Sequence, residues 1–242
     1  MKKFKVSYSY PLEHPIKVVI NRLGWKGVVG WLMQKFGGRV RNSDLVVTER
    51  IIELPTLHEW VGKFFPEPRG QILEIGHVAG ATSLELASLG FEVTAIDLRN
   101  YPFTHPNLES LQGDFLKRSF GKKFDLIFSL STIEHFGFSE RYGGEDIKDN
   151  NLDEQAFTKI AELLGQNGKV IVSFPYAKKW VPGVWFRVYT RDELIKKLGS
   201  HFSILESRFY RRDKNIWSRI NNPSNDPDSP HDGVALFLLE GK

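Results

Sequence analysis

QILEIGHVAGATSLELASLGFEVTAIDLR, Gln71 to Arg99, is the stretch that decides the fold. Ile72 to Ile75 reads as a buried strand, Gly76 to Gly80 as a tight turn, about Ala81 to Leu89 as a helix, and Glu92 to Ile96 as a second buried strand that ends on Asp97. The order is a βαβ unit. Gly76 and Gly80 bracket a turn at which backbone N–H groups and a ligand approach closely, which residues without a Cβ permit. The following helix points its positive end at the same spot. An acidic side chain about twenty residues on, at the end of the next strand, can accept both hydroxyls of a ribose. The pattern is that of a nucleoside site.

The turn itself, Glu74-Ile75-Gly76-His77-Val78-Ala79-Gly80, resembles the E/D-x-G-x-G-x-G turn of class I S-adenosylmethionine-dependent methyltransferases, with Val78 in place of the middle glycine. A G-x-G-x-x-G dinucleotide fingerprint also needs a glycine at position 78, and an unrelated nucleotide-binding α/β protein or a non-binding copy remains the competing interpretation. The resemblance implies S-adenosylmethionine as cofactor, with Glu74, Gly76, His77 and Gly80 around its methionine end and Asp97 and Leu98 at the ribose. Gln112-Gly113-Asp114-Phe115, at the expected end of a third strand, is where this fold sets an acid against the adenine amino group and a hydrophobic neighbour against its ring; Asp114 and Phe115 take those roles. On its own a Gly-Asp pair is an ordinary turn.

Phe124 to Leu130, FDLIFSL, is nearly continuously apolar, as a strand buried on both faces is. It ends in Ser129-Leu130-Ser131-Thr132-Ile133-Glu134-His135, at the carboxyl end of the sheet where open α/β folds bind ligands. The Glu134-His135 pair resembles the strand-end EH of small-molecule methyltransferases, ubiquinone-type O-methyltransferases included. Ser129 joins the cofactor set, and His135 is the candidate general base, a neutral imidazole able to take a hydroxyl proton near neutral pH. The alternative is that Glu134 and His135 brace the cofactor loop. Ser131 stands where some relatives carry a further metal-binding glutamate, so no metal is expected. The Asn/Asp-Pro-Pro-Tyr run of base-methylating enzymes is missing. IEHFG with Arg141-Tyr142-Gly143-Gly144 also resembles a methyltransferase-like family found with polysaccharide genes.

Asp153 to Leu164 is amphipathic, Gly165 to Gly168 turns into a fifth strand KVIVSFPY, and Lys178 to Tyr189 is an aromatic, basic insertion suited to an acceptor pocket. Thr190 to Glu193 is a capping box opening a helix to Leu198. Phe202–209 and 234–240 are the last two strands, with a proline-bearing polar loop, 221–232, between them that is expected to be mobile. The fold expected is α/β, a Rossmann-like, seven-stranded, mostly parallel sheet whose last strand is antiparallel. Upstream, Asp44 to Phe65 has helical spacing, with Pro55 expected to kink or restart it; Glu49 and Arg50 are either site-lining or surface charge.

Cysteine is absent, which removes disulfides, thiolate metal sites and the thiolate chemistry of cytosine-C5 methylation. No apolar run reaches about eighteen residues, and a cytoplasmic, non-spanning protein is expected. The net charge of +4 hides segregation: residues 1–43 carry +8, 44–177 carry −8 and 178–220 carry +7. The basic flanks are either solvated surface or a face for an anionic partner such as phosphate, nucleic acid or an acidic membrane. Residues 1–47 read as a cap on a 48–242 methyltransferase-like domain; within them 16–36, with Trp25, Trp31 and Phe36 beside lysines, fits a helix over the pocket or a peripheral membrane contact. The partner expected is a small-molecule or glycan acceptor, with nucleic acid (RNA 2′-O-methylation) and a non-catalytic, methyltransferase-like subunit as the alternatives.

Overall fold

The computed structural model describes residues 47–78, 80–138, 151–179 and 186–242. Residues 1–46, on which the expected cap and the 16–36 segment fall, Ala79, the 141–144 run, Trp180 and Trp185 lie outside them.

The elements are α1 (Arg50–Phe64), β1 (Gln71–Ile75), α2 (Thr82–Leu89), β2 (Glu92–Asp97), β3 (Leu108–Gln112), β4 (Phe124–Leu130), α3 (Leu152–Leu163), β5 (Leu164–Pro175), α4 (Arg191–His201), β6 (Phe202–Asp213), β7 (Ile216–Arg219) and β8 (Gly233–Gly241). One sheet runs in the order β3-β2-β1-β4-β5-β8-β6-β7. β1 to β5 pair in parallel, and β8 is antiparallel to both β5 and β6. The chain steps outward from β1 in one direction through β2 and β3, then returns to β4 on the other side. The carboxyl ends of β1 and β4 are therefore the switch point at which such sheets open a crevice.

The central strands are apolar on both faces, so each feeds two cores. Leu126, Phe128 and Leu130 of β4 pack with Leu57, Trp60 and Val61 of α1 and Leu86 of α2. Ile127 points the other way, to Ala156, Phe157 and Ile160 of α3 and Leu194 and Leu198 of α4. α4 starts on the expected box: Thr190 Oγ1 accepts the Glu193 N–H at 3.3 Å, and Glu193 Oε2 accepts the Thr190 N–H at 2.7 Å.

Three details depart from the sequence expectation. Pro55 does not restart α1; it sits inside one continuous helix, and Ile51, whose carbonyl loses a partner there, is 56% exposed, so water can take the bond. An eighth strand, β7, closes a hairpin on β6 through a two-residue turn with Lys214 at φ 56°. Its IWSR is mostly exposed and carries no alternation to read. The 221–232 loop is anchored: Arg191 Nε donates to Asp226 Oδ2 at 3.0 Å, and Arg191 Nη2 and the Tyr176 hydroxyl donate to Oδ1, the latter at 3.3 Å.

Candidate functional site

The glycine turn follows β1 directly. Gly76 has φ 86°, a left-handed value that disfavours any side chain, and its N–H donates to Ile96 O at 2.8 Å, which ties the turn to β2. Val78 supplies a backbone N–H to Asp97 Oδ2 at 3.1 Å, so its side chain does not prevent the turn from reaching the carboxylate. Gly80 is different. Among the described residues a Cβ there would meet the Thr82 hydroxyl at 3.7 Å and the Thr82 backbone N at 4.0 Å, both ordinary contacts.

Asp97 is buried and accepts four hydrogen bonds, from Val78 N, Arg99 N (2.9 Å), Arg99 Nε (3.0 Å) and Arg99 Nη2 (3.0 Å). Burial alone would raise its pKa, but the Arg99 guanidinium and the backbone donors outweigh burial and hold the carboxyl below its usual range. Leu98 is half-buried, its carbonyl taken by Gln112 Nε2 at 3.1 Å.

His77 does not present its ring at the turn's mouth. It is buried, with Nε2 2.9 Å from Ser110 Oγ, its ring 4.7 Å from that of Tyr101, and the Tyr101 hydroxyl in turn donating to Gly80 O at 3.2 Å. Desolvation lowers its pKa and keeps it neutral. Glu74 lies beneath the turn, accepting the Ser83 hydroxyl and backbone N–H in the first turn of α2. Burial raises its pKa to about 7. Ser129 Oγ donates to Ile75 O at 3.1 Å, bracing β4 against the end of β1 where the two strands part.

At the end of β3, Asp114 Oδ1 accepts the Leu116 N–H at 2.9 Å, and Lys117 Nζ stands 3.6 Å from Oδ2. Phe115 is buried between Phe120 and Phe136, with ring centroids 5.9 and 6.3 Å away.

The end of β4 carries a cluster that sequence reasoning missed. Ser131 has φ 46°, a sparsely populated value for a residue with a side chain. Its N–H donates to Ser173 Oγ at 2.9 Å, and the hydroxyls of Ser131 and Ser173 both donate to Glu53 Oε1, at 2.6 and 2.5 Å. Arg50 Nη1 lies 3.2 Å from Glu53 Oε2, close enough for charge but off the hydrogen-bond axis. Glu134 is buried beside Glu53, and its Oε2 has no hydrogen-bond partner among the described residues. Burial first, then the Glu53 charge, push the Glu134 pKa well up. Glu53 is raised by burial too, although the Arg50 charge and the two hydroxyls oppose the rise. The readable signal was the stripe Glu53, Leu57, Trp60, Val61, which places a carboxylate on the buried face of α1.

His135 is beside this pair in a short 3₁₀ turn, Ile133–His135, with Nε2 3.9 Å from Glu134 Oε1 and its ring 5.7 Å from Phe186. Phe186 comes from the aromatic insertion. Tyr189, from the same insertion, turns into the core, where its hydroxyl donates to Asp153 Oδ2 at 3.1 Å. The structure thus brings the glycine turn and Asp97 together at one strand end and Glu53, Glu134 and His135 together at the next, while His77 and Phe115 spend their rings on packing.

No family model matches the chain, and no curated protein matches it in sequence. Solved structures do match in fold. The N-methyltransferase NodS from Bradyrhizobium japonicum, in complex with S-adenosyl-L-homocysteine, superposes with a TM-score of 0.57 at 17% identity over 82% of this chain and 89% of its own. The Burkholderia thailandensis 1,6-didemethyltoxoflavin-N1-methyltransferase gives 0.54 at 13% over 90% of each chain. Magnesium protoporphyrin IX methyltransferase from Synechocystis gives 0.54 at 15% over 93% of this chain and 99% of its own. The chain has the fold of the class I S-adenosylmethionine-dependent methyltransferases.

Proposed function

We propose that the chain is an S-adenosylmethionine-dependent methyltransferase that O-methylates a hydroxyl of a small molecule or sugar. The observation that carries this reading is the Gly76 turn after β1, which sets the Val78 N–H on the Asp97 carboxylate at the end of β2 and packs against Thr132 at the start of the turn after β4 that carries His135. The residues present fit the cofactor. Asp97 is an ionised acceptor at the ribose position, Gly76 gives the turn its left-handed φ, and Glu74 with the start of α2 lies under the methionine end. Leu98 stands beside Asp97 at the ribose, and Asp114 at the adenine side.

When bound, S-adenosylmethionine supplies an electrophilic methyl group. The protein's part is then largely alignment, because holding an acceptor in line replaces an encounter between two molecules. His135, as a neutral imidazole, takes the hydroxyl proton on a ring nitrogen. Phe186 against His135 forms one apolar wall for the acceptor. The neighbours' names, two N-methyltransferases and a porphyrin methyltransferase, support a small-molecule acceptor without choosing its atom. Among the described residues no helix is long and apolar enough to cross a membrane, and we take the protein to act in the cytoplasm.

The test is calorimetry with S-adenosylhomocysteine on the full chain, followed by methyl transfer from labelled cofactor to cell extract fractionated into glycan, lipid, nucleic acid and protein. Binding, together with label in a glycan or small-molecule fraction, is expected. No binding by the intact protein defeats the cofactor assignment, and label confined to nucleic acid defeats the acceptor class.

A further inference from the structure

We infer that Arg99 is an intramolecular competitor for the ribose site and so sets the affinity of this protein for its nucleoside ligand. An ionised carboxylate offers about four lone-pair positions. In Asp97 all four are used: Oδ1 takes the Arg99 N–H and Nε–H, and Oδ2 takes the Val78 N–H and an Arg99 Nη2 proton. Two of these donors, Val78 N and Arg99 N, are backbone and hold the carboxylate in place. The other two are the guanidinium fork, seated in the same planar, two-point manner in which a pair of vicinal hydroxyls would bind.

A ribose cannot add its two hydroxyls to a carboxylate whose positions are filled. The fork is the part that can leave. The Arg99 side chain is 29% exposed and Asp97 only 6%, so the arginine can swing toward water while the acid stays where its backbone donors keep it. Ligand binding is then an exchange of one bidentate donor for another, and the apparent affinity is the intrinsic one multiplied by the fraction of molecules in which the fork is open. The inference rests on the proposed cofactor site and adds to it a residue that works against occupancy.

The experiment compares the full chain with Arg99→Ala by calorimetry, with S-adenosylhomocysteine as the probe. It is paired with ¹⁵N NMR of the Arg99 Nε–H in the wild-type protein. Removing the fork should tighten binding by about 3- to 10-fold, the size expected if the closed form is the main one in the free protein. In the free protein the Arg99 Nε–H should be shifted and slow to exchange, and saturating ligand should move it away from that position. Equal or weaker binding by Arg99→Ala, or an Nε–H signal unmoved at saturation, overturns the proposal and makes Arg99 part of the bound site. Failure of both proteins to bind overturns the cofactor assignment, and this inference with it.

Discussion

The side chain of Thr132, just past β4, lies against the face of Gly76, just past β1, so closely that a Cβ on Gly76 would stand 2.3 Å from both its Oγ1 and its Cγ2. Both branches of the threonine clash, and its hydroxyl is held to Leu130 O at 3.1 Å, so no rotamer relieves the contact. Gly76→Ala should therefore be destabilised by about 1–3 kcal/mol from the left-handed φ and a similar amount from overpacking. Adding Thr132→Gly should restore only the overpacking part. Urea midpoints of the single and double variants measure this, and complete rescue by the second change would show that the φ constraint is not real.

Glu74 makes stability depend on pH with a definite sign. Burial raises its folded pKa to about 7, above the ordinary value of 4.5, so folding favours the protonated carboxyl. Its contribution is fully present below about pH 4.5 and is lost as pH rises through 7; the difference amounts to about 3 kcal/mol at most. Wild-type stability should fall between pH 5 and 8 relative to Glu74→Gln, which keeps an acceptor for Ser83 and cannot ionise. Glu134 is shifted in the same direction by burial and by Glu53, so Glu134→Gln should flatten the profile further. A wild-type curve that rises against the variants over this range would contradict the burial assignments.

Asp226→Ala tests the anchor of the 221–232 loop. The change strands Arg191, whose side chain is 11% exposed and whose guanidinium lies 3.8 Å above the Phe209 ring, with no carboxylate to pair with. Breaking one partner out of a buried pair costs about 3–5 kcal/mol. Ser224→Ala, in the same loop on its exposed side, should stay within about 0.5 kcal/mol of wild type. Thermal unfolding of both compares an anchored loop with a loose one.

His135→Ala should lower methyl-transfer rate by about 10²- to 10⁴-fold at saturating cofactor, the usual worth of a general base. The S-adenosylhomocysteine dissociation constant should be nearly unchanged, since the proposed function puts His135 on the acceptor side. A collapse of cofactor affinity with the saturated rate preserved would make the histidine a brace.

Every element whose evidence is local was legible in the sequence alone. The β1-α2-β2 unit, the doubly buried β4 and the Thr190–Glu193 cap each announce themselves within about a dozen residues, through period, glycine and capping chemistry. So was the position of Asp97 at a strand end, because strand and acid are consecutive. What the sequence could not supply was which side chains meet. Glu53 finds its hydroxyl donors 78 and 120 residues away, in Ser131 and Ser173, and its buried neighbour Glu134 from a third element. β7 exists because a hairpin presents it to β6, not because IWSR favours a strand. His77 and Asp97 show the same division within one turn: sequence put both at the ligand's door, while packing took the histidine ring inward to Ser110 and Tyr101 and laid Arg99 across the carboxylate. Local pattern reports what a segment prefers, but hydrogen-bond partners and burial are properties of the assembled sheet and its two helical layers, and only the tertiary structure decides them.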